Sequence, residues 1–536
     1  MINIYKRPST EYIGELSLSM YRCANTLSVK CSLRSIHTIC SSVLSDFSRV
    51  CTCSRLNMAE GGIDRTMSET ESVPRSNSLY SCNSRNYVES VSMEMCTILN
   101  RLGYGEEIRR RRIEKYKERD RLRNARTSRL TTITSGSKAE GLTCYFESDW
   151  DFLFVLNDVI CVEAGINLPT LQEDMDVYRM DTLVYPGYCS LFLERLSRSP
   201  SRFIINSLCE NGYGGILLCS GLFLDEFSTF WASTKTQSPI EIVHHERAGP
   251  SIPETLKMIK GINGELNQDH VLALRCHCPS ILERWAARHR HWPPPVIVQR
   301  VVSFGAYVTP VGLKGSERKN IDWRICFDTG ETELVNNLND TQAKVYVLLK
   351  FILKDVLRPR KKEITSYVIK NIVLWQAERN PQNKFSARSL VHWLHDGLGE
   401  LRTAIETQQL SYYMIPDRNL MAANSFSEKQ QSKWVADITD LMAEGPRLIL
   451  RLPKIRHAII ASPEPMLWFN KIRTLLEIVW QEMANRIEQY GDFDVSDIIQ
   501  QEIIRLQLQT HIVLHKRMLE EGFNGDIGDI VIRILL

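Results

Sequence analysis

Thr134-Ser135-Gly136-Ser137-Lys138-Ala139-Glu140-Gly141-Leu142, followed by Glu147-Ser148-Asp149-Trp150-Asp151-Phe152-Leu153-Phe154-Val155-Leu156, is the stretch that decides the fold. A small polar turn leads into a short helix and then into an apolar strand. Two carboxylates, Asp149 and Asp151, stand two residues apart where that strand begins. Successive strand side chains point to opposite faces, so these two share one face while Trp150 and Phe152 take the other. Hard divalent cations take oxygen ligands of this kind, a few carboxylates together with substrate phosphates. The Gly-Ser turn supplies what carboxylates cannot. Gly136 lets the backbone approach an anion closely, and the free N–H groups of a helix start, with the Ser137 hydroxyl, can hold its oxygens. Either half alone is a weak signal, a turn before a strand with one wet face. At a twelve-residue step from Ser137 to Asp149 the two halves together read as phosphoryl or nucleotidyl transfer.

These residues resemble the nucleotidyltransferase signature of cyclic GMP-AMP synthase (cGAS), the animal cGAS-like receptors and the male-abnormal (Mab) proteins. Further segments are similar to that family in the same order. Asp269-His270-Val271-Leu272-Ala273-Leu274 resembles the strand that carries the family's third acidic ligand. Trp323-Arg324-Ile325-Cys326-Phe327 resembles its Trp-Arg-x-Ser-Phe strand, with Cys326 in place of serine. Lys350 is a cation within an apolar helical run, and Ser366-Tyr367-Val368-Ile369-Lys370 resembles the Ser-Tyr-x-x-Lys segment. The likeness spans roughly residues 86 to 450.

The resemblance implies a bilobal nucleotidyltransferase fold, with a mixed β-sheet catalytic lobe and a helical C-terminal lobe. It implies Asp149, Asp151 and Asp269 as metal ligands for Mg²⁺ or Mn²⁺. Gly136 and Ser137 would hold triphosphate, Arg324 would reach the nucleotide, and Lys350 would contact its phosphates. Ser366 would hydrogen-bond the nucleotide and Tyr367 would stack on a base. Substrates would be ATP and GTP, the product a cyclic dinucleotide, and the activator a nucleic acid on which the chain would form a homodimer. No cysteine lies between Phe327 and Lys350, where the vertebrate DNA sensor carries a zinc-binding insertion. That departure favours double-stranded RNA over long double-stranded DNA. The alternative is a non-catalytic Mab-type interaction or developmental protein that keeps the fold.

The chain has 536 residues, 43% hydrophobic and 24% charged, with a formal net charge of +3. Such a composition is that of an ordinary globular protein of two or three domains. Its longest apolar stretch, near 214–224, falls short of the roughly 20 residues a membrane span needs, and the first thirty residues carry no sustained apolar block of the secretory kind. A cytoplasmic location without membrane contact is the expectation. The fifteen cysteines form no repeated Cys-x-x-Cys pairs and read as reduced thiols.

Three regions follow. Residues 1–84 are rich in Ser, Arg, Thr and Cys with little periodicity and read as a flexible leader, within which Met58 offers an alternative start. Residues 85–336 read as the catalytic lobe with an N-terminal spine helix, and 337–536 as the helical lobe. Within the second region, strands are expected at 129–133, 151–156, 271–274, 296–302 and 323–327. Val88, Val91, Met95, Ile98 and Leu102 recur at helical spacing, and a second helix begins near Glu106. This second helix is the most basic segment: 101–129 carries twelve Lys/Arg against five Asp/Glu. Concentrated positive charge binds phosphate backbones. Arg109, Arg110, Arg111, Arg112, Lys115 and Lys117 are therefore candidate nucleic-acid contacts, joined by a second basic turn with Arg360, Lys361 and Lys362.

Overall fold

A computed structural model describes residues 85–166, 174–233, 241–257, 265–358, 364–422, 427–490 and 497–523, with 530, 531 and 534. The expected leader, 1–84, lies outside the described residues.

Strands β1 (Leu130–Ser135), β2 (Trp150–Glu163), β3 (Asp176–Asp181), β4 (Tyr188–Arg195), β5 (Leu208–Glu210), β6 (Ile216–Leu218), β7 (Glu241–His244), β8 (Ser251–Lys257), β9 (Glu265–His277), β10 (Ala306–Thr309) and β11 (Trp323–Cys326) form one mixed sheet. Pairing runs β1-β2-β3-β4-β11-β10-β9-β8-β7, and β2 also pairs with β9, so the path from β2 through β3, β4, β11, β10 and β9 returns to β2. The β2–β9 pairing is parallel and sets Asp151 opposite Asp269. On its other side β2 runs antiparallel to β1, with Ser135 opposite Asp151.

The helices are α1 (Arg85–Leu99), α2 (Glu106–Asn124), α3 (Gly136–Ala139), α4 (Arg202–Asn206), α5 (Ser220–Ser233), α6 (Pro279–Ala286), α7 (Pro295–Phe304), α8 (Asp328–Asn336), α9 (Asp340–Phe351), α10 (Ser366–Arg379), α11 (Leu390–Thr407), α12 (Glu428–Glu444), α13 (Pro453–Ile460), α14 (Met466–Tyr490) and α15 (Ile498–Glu520). Helix α9 starts on a reciprocal cap, in which Gln342 N donates to Asn339 Oδ1 and Asn339 N donates to Gln342 Oε1, both at 2.9 Å. Nearly every α9 side chain is buried, because one apolar core runs from Trp323 and Ile325 of the sheet through Leu348 and Leu349 to Leu394 and Leu398 of α11. A mixed sheet followed by a helical lobe, sharing one core, is the architecture. Among the described residues no helix is long and apolar enough to cross a membrane.

Two sequence expectations are corrected. Residues 296–302 are not a strand but the body of α7. Their β-branched composition suits a strand, yet Pro295 stands at the first helical position, where its fixed φ and missing N–H cost nothing, and Ile297 and Val301 face inward at i, i+4. The cysteines are not all thiols, since Cys209 and Cys219 form a disulfide. That bond joins β5 to the residue just before α5.

The basic helix α2 is a third correction. Four of its arginines, Arg109, Arg112, Arg119 and Arg123, are buried. Arg112 forks onto Glu477 of α14, both bonds at 2.7 Å, and also donates to the carbonyls of Gly103 at 2.7 Å and Gly141 at 3.2 Å. Arg119 Nε donates to Asn485 Oδ1 at 3.2 Å, Arg123 meets Glu488 at 2.5 Å, and Lys115 pairs with Glu482. The partners rise together along both sequences, so α2 and α14 run in the same direction, joined by a ladder of three ion pairs and the Arg119–Asn485 hydrogen bond. Burial works against the charge on Arg112, but Glu477 more than offsets it and holds the guanidinium above its ordinary pKa. Arg119 and Arg123 also lie over the rings of Trp150 and Phe152, at 4.9 and 5.1 Å from the centroids. The strand face opposite the carboxylates is thus covered by the basic helix.

Removing one member of a buried pair leaves an uncompensated charge, a loss of about 3–5 kcal/mol. Glu477→Leu is expected to lower the unfolding free energy in denaturant titration by that amount. Adding Arg112→Met recovers part of it, and a double variant no more stable than Glu477→Leu would show that the ion pair is not what the single change disturbs.

Candidate active site

Gly136 begins α3 with φ +62°, a conformation glycine adopts freely. Any Cβ there would lie 2.1 Å from Asp151 Oδ2, so bare backbone faces the carboxylate. Lys138, the third residue of the turn, is buried and donates to Tyr145 O at 2.7 Å and to Cys144 O. Its ammonium thereby ties the turn to the connection into β2.

Asp151 and Asp269 are register partners on adjacent parallel strands, a spacing of about 4.8 Å. Ser251 Oγ on β8 donates to Asp269 Oδ1 at 2.9 Å. Asp149 is exposed just ahead of β2, and its Oδ1 accepts from Asn267 Nδ2 at 3.2 Å. Burial pushes the Asp151 carboxyl up to about 7, helped by the neighbouring carboxylates of Asp269, Asp149 and Glu140. Among the described residues no group of three His, Cys, Asp or Glu side chains is already arranged around one point as a metal cage. Asp151 and Asp269 are an oxygen pair that fits a hard divalent cation, Mg²⁺ or Mn²⁺. Asp149 joins them only by turning away from Asn267.

The cleft at these carboxylates has a volume of about 490 Å³, within the range of small-molecule sites. Gly136, Ser137, Asp151, Asp269, Arg324, Ser366 and Tyr367 all line it. Lys350 reaches it from α9, its Nζ donating to Ser137 Oγ at 2.6 Å, and burial holds its pKa below the ordinary value. Tyr367 Oη donates to Glu331 Oε1 at 2.8 Å, as Tyr412 Oη does at 2.6 Å. Lys370 sits between two acids, 2.7 Å from Glu140 and 3.4 Å from Glu331. Burial disfavours its charge, but the two carboxylates prevail and hold it well above the usual lysine value. Asp328, its carboxyl raised by burial and by Glu331, completes the acidic floor.

Glu140, Asp328, Glu331, Lys370 and Arg418 line the cleft without having been singled out from sequence. Only Glu140 and Lys370 lie within the Thr134–Leu142 and Ser366–Lys370 motifs. Glu331 and Asp328 follow the Trp323–Cys326 strand closely enough that a helix starting there had to bring its first turn to the strand's end.

The basic candidates separate differently. Arg109 is buried and donates to the carbonyls of Glu140 at 3.3 Å, Leu338 at 3.2 Å and Val335. Burial lowers its pKa to about 10. Neither it nor Arg112 presents a charge to an external partner, which corrects both as nucleic-acid contacts. Lys115 is occupied by Glu482. Arg110 and Arg111 are exposed, Arg110 pairing with Glu106, and Lys117 is exposed 3.8 Å from Glu333. Arg360, Lys361 and Lys362 lie outside the described residues.

A carboxylate pair beside a glycine-serine turn, at the seam of a mixed sheet and a helical lobe, defines a nucleotidyltransferase-type domain. Residues 165–337 match the Mab-21 protein nucleotidyltransferase domain, and residues 341–440 match the Mab-21 protein HhH/H2TH-like domain, together just over half of the chain. The chain belongs to the cGAS/Mab-21 family. The matched residues include Asp269, Arg324, Lys350, Ser366 and Tyr367, and begin beyond Asp151.

Asp151 gives the site a pH signature. With its folded carboxyl near 7 against an ordinary 3.8, the folded chain keeps a proton the unfolded chain releases. Stability is therefore lost as pH rises from about 4 to about 7 and is level above. In EDTA at pH 8, Asp151→Asn is expected to melt above wild type, with the gap narrowing at pH 5. Added Mg²⁺ or Mn²⁺ raises the melting temperature of wild type only. Equal melting of the two proteins at pH 8 would contradict this account.

Proposed function

We propose that this chain is a metal-dependent nucleotidyltransferase of the cGAS-like receptor type, which joins ATP and GTP into a cyclic dinucleotide in the cytoplasm after binding nucleic acid, double-stranded RNA being the favoured activator. The observation that carries the reading is the register pairing of Asp151 with Asp269 directly beside Gly136 and Ser137. In this reading the carboxylates hold Mg²⁺ or Mn²⁺, which when bound supplies charge neutralisation at phosphate oxygens and lowers the pKa of the attacking hydroxyl. The N–H groups at the start of α3, the Ser137 hydroxyl and the Lys350 ammonium hold the triphosphate. Arg324, Ser366 and Tyr367 hold the nucleoside at the other end of the cleft. A ribose hydroxyl of one nucleotide attacks the α-phosphorus of the other, its proton leaves, and pyrophosphate departs. A second such step closes the ring. The buried α2 arginines leave Arg110, Arg111 and Lys117 as the exposed members of the proposed nucleic-acid face.

A second reading, nucleotide binding without turnover by a Mab-type interaction protein, is favoured by one observation: Asp149 engages Asn267 instead of joining the other two carboxylates. Labelled ATP and GTP with Mg²⁺ or Mn²⁺ and double-stranded RNA separate the two. A cyclic product from wild type, reduced by about a hundred-fold or more in Asp149→Ala and Asp269→Ala, since such electrostatic contributions are commonly worth 10²–10³, is expected. Bound nucleotide with no product from wild type under every cation and nucleic acid tried supports the second reading, and linear extension products point to RNA-end addition.

A further inference from the structure

Arg418 stands at the end of the cleft remote from the carboxylates. The segment that carries it is locked by its own backbone: Tyr412 N donates to Arg418 O at 2.8 Å, Arg418 N donates to Ile415 O at 2.9 Å, and Leu410 N is held by Asn419 Oδ1 at 3.0 Å. The residue is only 8% exposed and lines the cleft. Its guanidinium lies over two rings, 5.4 Å from the centroid of Tyr188 and 5.0 Å from that of Tyr412. Gly187 makes room for the stem, since a Cβ there would come within 2.6 Å of Arg418 Cδ. Among the described residues no hydrogen bond or ion pair reaches the guanidinium. A buried cation is costly without partners, so a five-donor fork set beside two aromatic rings on the wall of a cleft marks a place for a ligand's acceptors.

Position decides which acceptors. Crossing the sheet from Asp269 on β9, the cleft is lined by Thr309 on β10, Arg324 on β11 and Tyr188 on β4, with Arg324 paired to both Thr309 and Tyr188. Tyr188 is thus three strands from the metal-side carboxylate, on the order of 14 Å. A triphosphate held at Gly136, Ser137 and Lys350 has its base, not its phosphates, toward this end. A planar guanidinium meets adjacent acceptors with two parallel bonds. Guanine offers O6 and N7 in that arrangement, whereas adenine places the N6 donor beside N7.

We infer that Arg418 reads the nucleobase, donating to guanine O6 and N7, and so sets a guanine preference in the subsite formed with Tyr188 and Tyr412. The inference rests on the nucleotidyl-transfer reading above. Its test is titration calorimetry with Mg²⁺ and the α,β-methylene analogues of GTP, 7-deaza-GTP and ATP, alongside inorganic tripolyphosphate. Wild type is expected to bind the GTP analogue about ten-fold or more tighter than the ATP analogue, the range one bidentate base contact supports, with the 7-deaza compound weakened toward ATP. Arg418→Met, which keeps an apolar stem beside the rings, and Arg418→Lys, which keeps the charge but not the fork, both abolish the preference and leave ATP-analogue binding within about two-fold. Retained ATP-analogue binding also reports an intact cleft, and if the methionine variant does not fold, the lysine variant decides. Equal losses for all four probes make Arg418 a phosphate ligand and overturn the inference alone, as does a guanine preference that survives both substitutions or is missing from wild type. Wild type that binds none of the triphosphates overturns the nucleotidyl-transfer reading together with this one.

Discussion

The parallel pairing of β2 with β9 is the constraint on which the rest depends. Antiparallel neighbours can be joined by a short turn, but parallel neighbours need a crossover, and here everything from β3 through β8 lies between the two strands. That long excursion is what brings residue 269 back to residue 151. Once the register is set, Asp151 and Asp269 must share a face, because a slip by one residue would turn one of them to the opposite side. The opposite side is occupied. His270 stacks on Phe152 and Phe154 at 5.8 and 5.6 Å, and its Nε2 donates to Glu254 Oε1 at 2.9 Å. Packing on one face therefore enforces carboxylate proximity on the other, and the Asp151 carboxyl is raised first by its burial and then by the repulsion that results.

The ladder between α2 and α14 has a comparable role at larger scale. It fastens a helix near the start of the described chain to one near its end, with Arg112, Lys115, Arg119 and Arg123 matched to Glu477, Glu482, Asn485 and Glu488. Because α2 also covers Trp150 and Phe152, the same arginines seat the strand that carries Asp151. Charge in this segment is mostly structural. A sequence count of cations cannot show this, since the neutralising acids lie more than three hundred residues away and the helix has no apolar stripe of its own to betray which face is inward. Arginine suits such a position because its stem packs while its fork satisfies carboxylates and carbonyls at once.

What was legible in the sequence was what is local. The Gly136-Ser137 turn, the short helix after it and the alternation through Asp149 and Asp151 need only neighbouring residues, and the structure has a helix and a strand there. Asp269 was legible only through resemblance, since nothing about a lone aspartate announces a partner 118 residues earlier. The 296–302 segment misled because β-branched residues favour strands only when a sheet edge receives them, while a proline at the first helical position acts locally. Arg418 was not legible at all, and Glu331 only through its closeness to the Trp323–Cys326 strand. Their importance comes from Tyr188, Tyr367 and Tyr412, supplied by three separate segments.

The distribution of charge across the cleft ties these points together. Asp151, Asp269 and Asp328 come from the sheet side, whereas Lys350, Lys370 and Arg418 come from segments beyond α8, with Arg324 as the sheet's own cation. Taken apart, each side concentrates charge of mostly one sign in a partly dry surface, where like charges destabilise one another. Docked, they face each other, and Lys370 already spans the gap to Glu140 and Glu331. The cleft's balance therefore exists only while the shared core and the α2–α14 ladder hold the two lobes together. A polyphosphate carrying a divalent cation has the complementary pattern, positive toward Asp151 and Asp269 and negative toward Ser137 and Lys350. On the nucleotidyl-transfer reading proposed above, such a ligand would strengthen the contact between the lobes by the same interactions through which it is bound, linking occupancy of the cleft to rigidity of the lobe interface in one equilibrium.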